Sequence, residues 1–351
     1  MSTRVLPCRR PAVNFLTFFV LSLVLALPLF AVGPIQVQNG SGVPSGPRIW
    51  LQDRQPLPVQ HMAAGQGTGS PVDLSGLGHA QPVSMTSGDL DADGFDDLVV
   101  GYSTGNGGYI SIHRGNMDAF APQSDASFQA IGRGEFPSPF QLQAQTFSVG
   151  VSPDFVALGD FTGQGNKDLA VAAKGGNALY IFPNDGKGNF GTPQTVNLGS
   201  GITALTTSEM GKGQSGNSLL VGLSTGHKGL LMLLGSNQQG FAVLSQYPLG
   251  GPITSIAVGD LDGDTTQDAA IVAGGQVYIL HGGSGRLQSL ALPFSASGIA
   301  LGSFVFDRDS REQIAVLTGD GSIHIAAHSA LDPRSFSKDE ITAMRMAMRE
   351  A

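Results

Sequence analysis

An all-β fold, a β-propeller of four-stranded blades, is what the amino-acid sequence predicts, and three observations predict it. Glycine supplies 50 of the 351 residues, about twice its usual share and without a G-X-Y period, so tight turns are abundant and collagen is excluded. The apolar runs are short, and no amphipathic pattern of about 10–15 residues separates them, which argues against a parallel α/β sheet. A unit of about 50 residues recurs along the chain, which is blade length.

The repeat is read from aligned segments. "PVSMTSGDLDADGFDDLVVGYSTGNGGYISIHRGN" (82–116), "PDFVALGDFTGQGNKDLAVAAKGGNALYIFPNDGKGNF" (153–190) and "ITSIAVGDLDGDTTQDAAIVAGGQVYILHGG" (253–283) share one layout. Weaker copies run over 202–241 and 298–328. Each unit is a short apolar strand, a loop, a second apolar strand, a Gly-rich turn and a third strand. A Phe-led fourth strand often follows, as after Phe190 and Phe241. The loops begin at Asp89, Asp160, Glu209, Asp260 and Ser303. The first interval is the longest, and residues 124–149 are expected to be an insertion that accounts for it. Second strands such as "DLVVGY", "DLAVAA" and "AAIVAG" are apolar throughout, as strands buried on both faces are. "GNGG" and "GG" after them are hairpin signals.

The loops carry the chemistry. Asp89, Asp91, Asp93 and Asp97 stand at offsets 0, 2, 4 and 8, with Gly94 at offset 5. Alternate carboxylates can turn inward around one centre, the glycine permits the sharp turn, and the Phe95 carbonyl can add an oxygen. Such an all-oxygen shell suits Ca²⁺, and without a cation the charges repel. Asp260, Asp262, Asp264 and Asp268 repeat the offsets, with Thr265 at the glycine position and the Thr266 carbonyl available. Two Ca²⁺ sites are therefore expected. Asp160 and Asp168 keep only the ends of the next loop, where Thr162 and Gln164 replace the middle acids, so that site is expected to be weak or lost. The Glu209 loop has one acid, and the Ser303 loop has Asp307 and Asp309 in a shifted arrangement. This is no EF-hand, because Val100 and Ile271 stand where its closing Glu belongs.

These residues resemble the FG-GAP or VCBS repeat family, the blades of integrin α-chain propellers and of many bacterial exported proteins. "GDLDADGFDDLVVG" is a close match, "GDLDGDTTQDAAIV" a good one and "GDFTGQGNKDLAV" a partial one, and the resemblance covers roughly residues 82–328. It implies a Ca²⁺-stabilised propeller, with ion roles for Asp89, Asp91, Asp93, Phe95 and Asp97 and for Asp260, Asp262, Asp264, Thr266 and Asp268.

The ends read differently. Arg4, Arg9 and Arg10 precede an apolar run from Phe15 to Val32, the pattern of an export signal over residues 1–33. The run is long enough to span a bilayer if uncut. Export to the periplasm, cell surface or medium is expected, with membrane attachment only if the signal is retained. Residues 34–81 are expected to be a linker holding either a closing strand, best placed at "PRIWLQD" (47–53), or a degenerate blade. The propeller is expected over 82–330 and a tail over 331–351, in which Ser337 and Glu340 stand at capping-box spacing before a short helix. Cys8 is the sole cysteine, so a mature chain would hold no disulfide.

A net charge of −8 excludes a general nucleic-acid binder. No GxSxG, HExxH, P-loop or cysteine nucleophile is found. His113 and His281 are read as matching strand ends. The expected function is non-enzymatic: an exported binding or adhesion module for a protein or glycan. The alternatives are a scaffold within a secreted polysaccharide-active enzyme, with Glu135 in the insertion, and a propeller lectin using Phe120, Phe190 and Phe241.

Overall fold

The computed structural model describes residues 4–7, 59–61 and 80–350, apart from residues 106, 136, 211–215, 238–239, 309–310 and 330. The described part begins with two short strands, β1 (Arg4–Pro7) and β2 (Val59–His61). The first blade is β3 (Gln81–Gly88), β4 (Asp97–Ser103), β5 (Gly108–Gly115) and β6 (Phe140–Val149), with β2 parallel on the β6 edge. The second is β7 (Phe155–Gly159), β8 (Asp168–Ala172), β9 (Ala178–Phe182) and β10 (Gln194–Asn197). The third is β11 (Gly201–Ser208), β12 (Ser218–Thr225), β13 (Lys228–Asn237) and β14 (Gly240–Leu249). The fourth is β15 (Ile253–Gly259), β16 (Asp268–Ala273), β17 (Gln276–Leu280) and β18 (Leu287–Leu290). The fifth is β19 (Ala296–Gly302), β20 (Gln313–Thr318) and β21 (Ile323–Ala327), and β1 pairs with β21 as its fourth strand. These are the blades of a β-propeller. The first strands β3, β7, β11, β15 and β19 each pack beside the next.

Period-two alternation explains how one strand serves two neighbours. In β8, Leu169 and Val171 face the first blade, while Ala170 and Ala172 face the third. In β16, Ala269, Ile271 and Ala273 face the third blade, and Ala270 and Val272 face the fifth. A strand buried on both faces must be apolar on both, which is why these runs do not alternate in polarity.

The stretch expected to be an insertion divides in two. Its end, Phe140–Val149, is the fourth strand of the first blade. The true insertion precedes it and holds α1 (Met117–Phe120), capped by Asn116, and α2 (Asp125–Gly132), capped by Ser124. The segment 47–53 and the apolar run 15–32 lie outside the described residues. Arg4, within the expected export signal, is in β1. The tail carries α3 (Lys338–Glu350), and the capping box is reciprocal: Ser337 N–H donates to Glu340 Oε2 at 2.7 Å and Glu340 N–H to Ser337 Oγ at 3.3 Å. Arg308 pairs with Glu340 and so ties the helix start to the fifth blade. No helix among the described residues is long and apolar enough to cross a membrane.

Buried on the first blade's other face, His113 is 3% exposed, and burial lowers its pKa to about 4. Its neutral ring lies 3.0 Å from Ser111 Oγ through Nε2. An unfolded His takes up its proton near pH 6.5, so the folded state loses stability as pH falls from there toward 4. Between about pH 7 and pH 4.5, the wild-type chain is expected to lose about 2–3 kcal/mol more than His113→Gln. Urea unfolding at both pH values checks this; equal losses would contradict it.

Candidate metal-binding loops

In four of the five blades the second residue of the loop between the first and second strands is a buried apolar plug. Leu90, Phe161, Met210 and Leu261 are 0–4% exposed. The fifth blade departs from this, with Phe304 exposed at the matching place. The residue that opens each second strand is polar and buried in all five blades: Asp97, Asp168, Ser218, Asp268 and Gln313, each 0–1% exposed.

These residues are latches. Asp97 accepts Leu90 N–H and Arg114 Nη1 on Oδ2, at 3.2 and 2.6 Å, and Gly115 N–H on Oδ1 at 2.8 Å. Asp268 accepts Leu261 N–H at 3.2 Å and Gly282 N–H at 3.0 Å. Asp168 accepts Phe161 N–H, Thr162 N–H, Thr162 Oγ1 and Asn184 N–H at 2.8–3.0 Å. Burial raises the carboxyl pKa of both Asp168 and Asp268. In the third blade Ser218 Oγ donates to Met210 O, and in the fifth Gln313 Oε1 accepts Val305 N–H at 2.8 Å.

In the three loops that open with aspartate, that aspartate builds the turn. Asp89 accepts the N–H groups of Asp93 and Gly94, Asp160 those of Gln164 and Gly165, and Asp260 those of Gly263 and Thr265, at 2.6–3.2 Å. The Asp160 loop thus folds without any middle acid. Two positions in each of these three loops are left-handed. Glycine fills both in the Asp160 loop, but Ala92 (φ 60°) and Thr265 (φ 68°) hold one position in each acidic loop. A β-branched residue is strained there. Thr265→Gly is expected to stabilise the chain by about 1 kcal/mol, read as a higher urea midpoint; an unchanged or lower midpoint would contradict the strain.

The middle acids are what turn folding does not require. One oxygen each of Asp89, Asp91 and Asp93 lies within 4.8 Å of the others, and Asp260, Asp262 and Asp264 form the same cluster. Asp91 Oδ1 is buried without a hydrogen-bond partner. Burial pushes the Asp91 carboxyl pKa upward; Arg114 opposes this, and Asp97, Asp93 and Asp89 add to the rise. An acceptor oxygen left bare among like charges fits a cation. Asp97 and Asp268 lie outside these two oxygen clusters and are more deeply buried, at 1% and 0% exposure. Phe95 N–H donates to Asp93 Oδ1 and Thr266 N–H to Asp264 Oδ1, at 2.9 and 2.8 Å.

Two cationic residues were not anticipated. Strand pairing aligns Leu98 with His113 and Ala269 with Leu280. The residue matching His281 is therefore Arg114, not His113. The latch confirms this alignment, since Gly115 and Gly282 make the same bond to Asp97 and Asp268. A side chain at 282 would meet Gln267 O at 1.9 Å, so the loop leaves room only for glycine. Arg114 lies 3.5 Å from Asp91 and reaches the second blade, donating to Gly188 O at 3.0 Å and Lys187 O at 3.3 Å. Asn184 also joins these blades, donating to Leu90 O at 2.8 Å. In the fifth loop Arg311 holds Asp307 through two bonds of 2.9 and 3.2 Å, and Asp309 lies outside the described residues.

The aromatic residues divide. Phe190 packs on Phe147 and Phe241 on Phe161, both across blades, at 5.7 and 5.8 Å. Phe120 is 65% exposed and stacks on Phe95 of the first acidic loop at 5.7 Å.

Comparison with known proteins agrees with the repeat. Residues 82–113 match the model of the FG-GAP repeat. No curated protein matches the chain in sequence. Among solved structures, the chain is similar to BBS1N from its complex with ARL6DN, at 14% identity and TM-score 0.46 over 73% of this chain and 68% of that one. It is also similar to the Cps50 (Swd1) β-propeller domain of Myceliophteria thermophila, at 13% identity and TM-score 0.40 over 66% of each chain. The Dos1 propeller is similar at 12% identity and TM-score 0.41, over 74% of this chain and 60% of that one. These are likenesses of fold.

Proposed function

From an FG-GAP repeat at residues 82–113, set in a run of propeller blades, we propose that this chain is an exported, non-enzymatic binding module whose loops are stiffened by Ca²⁺. The observation that carries the reading is the surplus of carboxylates. The Asp160 loop folds with Thr162 and Gln164, so Asp91, Asp93, Asp262 and Asp264 are there for something other than the turn. Asp89, Asp91, Asp93 and the Phe95 carbonyl would hold one ion, and Asp260, Asp262, Asp264 and the Thr266 carbonyl a second. Asp97 and Asp268 would hold the strands under each loop and lend charge. A bound Ca²⁺ supplies the positive charge that relieves repulsion among these oxygens. The loops stand at equivalent ends of their blades and give a repeated rim for a ligand.

Phe120 and Phe95 favour a glycan. An exposed Phe120 ring stacked on the half-buried Phe95 beside carboxylates combines an apolar face for sugar C–H groups with acceptors for hydroxyls. Binding is favoured over nucleophilic catalysis because the Ser111–His113 pair is buried, at 1% and 3% exposure. A glycan array probed with the full chain in Ca²⁺ is expected to give hits that vanish with chelator and weaken at least about tenfold in Phe120→Ala, a loss of roughly 1.4 kcal/mol. Hits unaffected by both would contradict the reading.

A further inference from the structure

The position opposite the second loop acid differs between the repeats in a way that bears on ion chemistry. In the first blade it is Arg114, whose guanidinium sits between Asp97 (2.6 Å) and Asp91 (3.5 Å). In the second and third blades, whose loops lack the middle acids, strand pairing puts Pro183 and Gly235 there. In the fourth it is His281, with Nδ1 3.2 Å from Asp262 Oδ2 and 3.7 Å from Asp268 Oδ1. The same carboxylate pair that holds a fixed cation in one blade thus faces an imidazole nitrogen in another. The three ligand atoms lie within 4.8 Å of one another.

We propose that Asp262, Asp268 and His281 form a site for a borderline transition-metal ion of the Zn²⁺ or Co²⁺ class, distinct in its donors from the oxygen cluster of Asp260, Asp262 and Asp264, with which it shares Asp262. Two donors bound tetrahedrally at about 2.1 Å lie about 3.4 Å apart, and the two His281 separations bracket that value. An imidazole nitrogen with two carboxylates suits such ions, whereas Ca²⁺ takes oxygen alone. Asp268 is fully buried and His281 is 8% exposed, while the Asp262 side chain is 34% exposed and leaves an entry side for the ion and its water. Coordination through Nδ1 leaves the ring proton on Nε2. Arg286, now 3.5 Å from Nε2, is exposed and already donates to Gln288 at 3.0 Å, so it can give way. Arg114 bars the equivalent site in the first blade.

The inference rests on the ion-binding reading of this loop only through Asp262, and the two are tested separately. Co²⁺ is titrated into the full chain and followed by visible absorption, with Ca²⁺ heat measured in a parallel cell. One equivalent of Co²⁺ with four-coordinate absorption is expected. Its affinity should fall more than about tenfold in His281→Gln and His281→Arg and should be unchanged in Asp125→Asn, an exposed acid in the first turn of α2. His281→Arg installs the residue type the first blade carries at this place. In the wild-type Co²⁺ form, proton NMR should show a paramagnetically shifted imidazole N–H, so the result does not depend on the variants folding. Absence of that resonance, or Co²⁺ absorption retained in folded His281→Gln, overturns the site. Ca²⁺ heat without His281-dependent Co²⁺ absorption overturns this inference and leaves the Ca²⁺ reading standing; the reverse result does the opposite.

Discussion

Asp97→Ala is expected to destabilise the chain by about 3–5 kcal/mol, the scale for breaking a buried ion pair from one side. The substitution leaves Arg114 buried without its 2.6 Å partner and strips Leu90 and Gly115 of the acceptor for their N–H groups. All three donors are shielded from water, so desolvation is not recovered. Because the latch is the same in the Asp160 loop, Asp168→Ala should also be destabilising, although that loop has no middle acids. A large loss for Asp97 and a negligible one for Asp168 would mean that Asp97 acts through an ion rather than as a latch. Urea unfolding in chelator separates the two, since the latch does not need a metal.

Arg114→Ala is expected to cost about 3–5 kcal/mol in chelator and distinctly less in Ca²⁺. Without the guanidinium, Asp97 and Asp91 are left facing each other, and the bonds to Gly188 and Lys187 of the second blade are lost. A Ca²⁺ ion restores charge balance at Asp91 but not the contacts between blades, so rescue should be partial. Lysine should not substitute well, because one ammonium cannot reach Asp97 and the Gly188 carbonyl as the planar fork does. A loss that is the same with and without Ca²⁺ would contradict a role for Asp91 in ion binding.

Much of this was legible in the sequence, for physical reasons. Strands buried on both faces must be apolar throughout, so "DLAVAA" and "AAIVAG" announced themselves, and acid spacing marked the loops. The fourth strand of the first blade was hidden because two capped helices precede it and its Gln-rich run, "FQLQAQTFSV", lacks the apolar continuity of the inner strands. Arg114 was missed because "IHRGN" and "ILHGG" invite a match of histidine to histidine. The glycine that must sit under the loop, Gly115 or Gly282, fixes the alignment instead, and its reason is a close approach visible only in three dimensions. Arg114 also serves residues some seventy positions away, and no local pattern records such a contact.

The most direct test of the account is Ca²⁺ titration by calorimetry, with melting curves in Ca²⁺ and in chelator, on the full chain and on Asp93→Ala and Asp264→Ala. Both substitutions remove middle acids that the turns do not need, so both variants should fold. Two sites are expected, one lost with each variant, and a melting temperature that falls on chelation. No binding heat and superimposable melting curves would contradict the account, leaving the middle carboxylates as solvated charge.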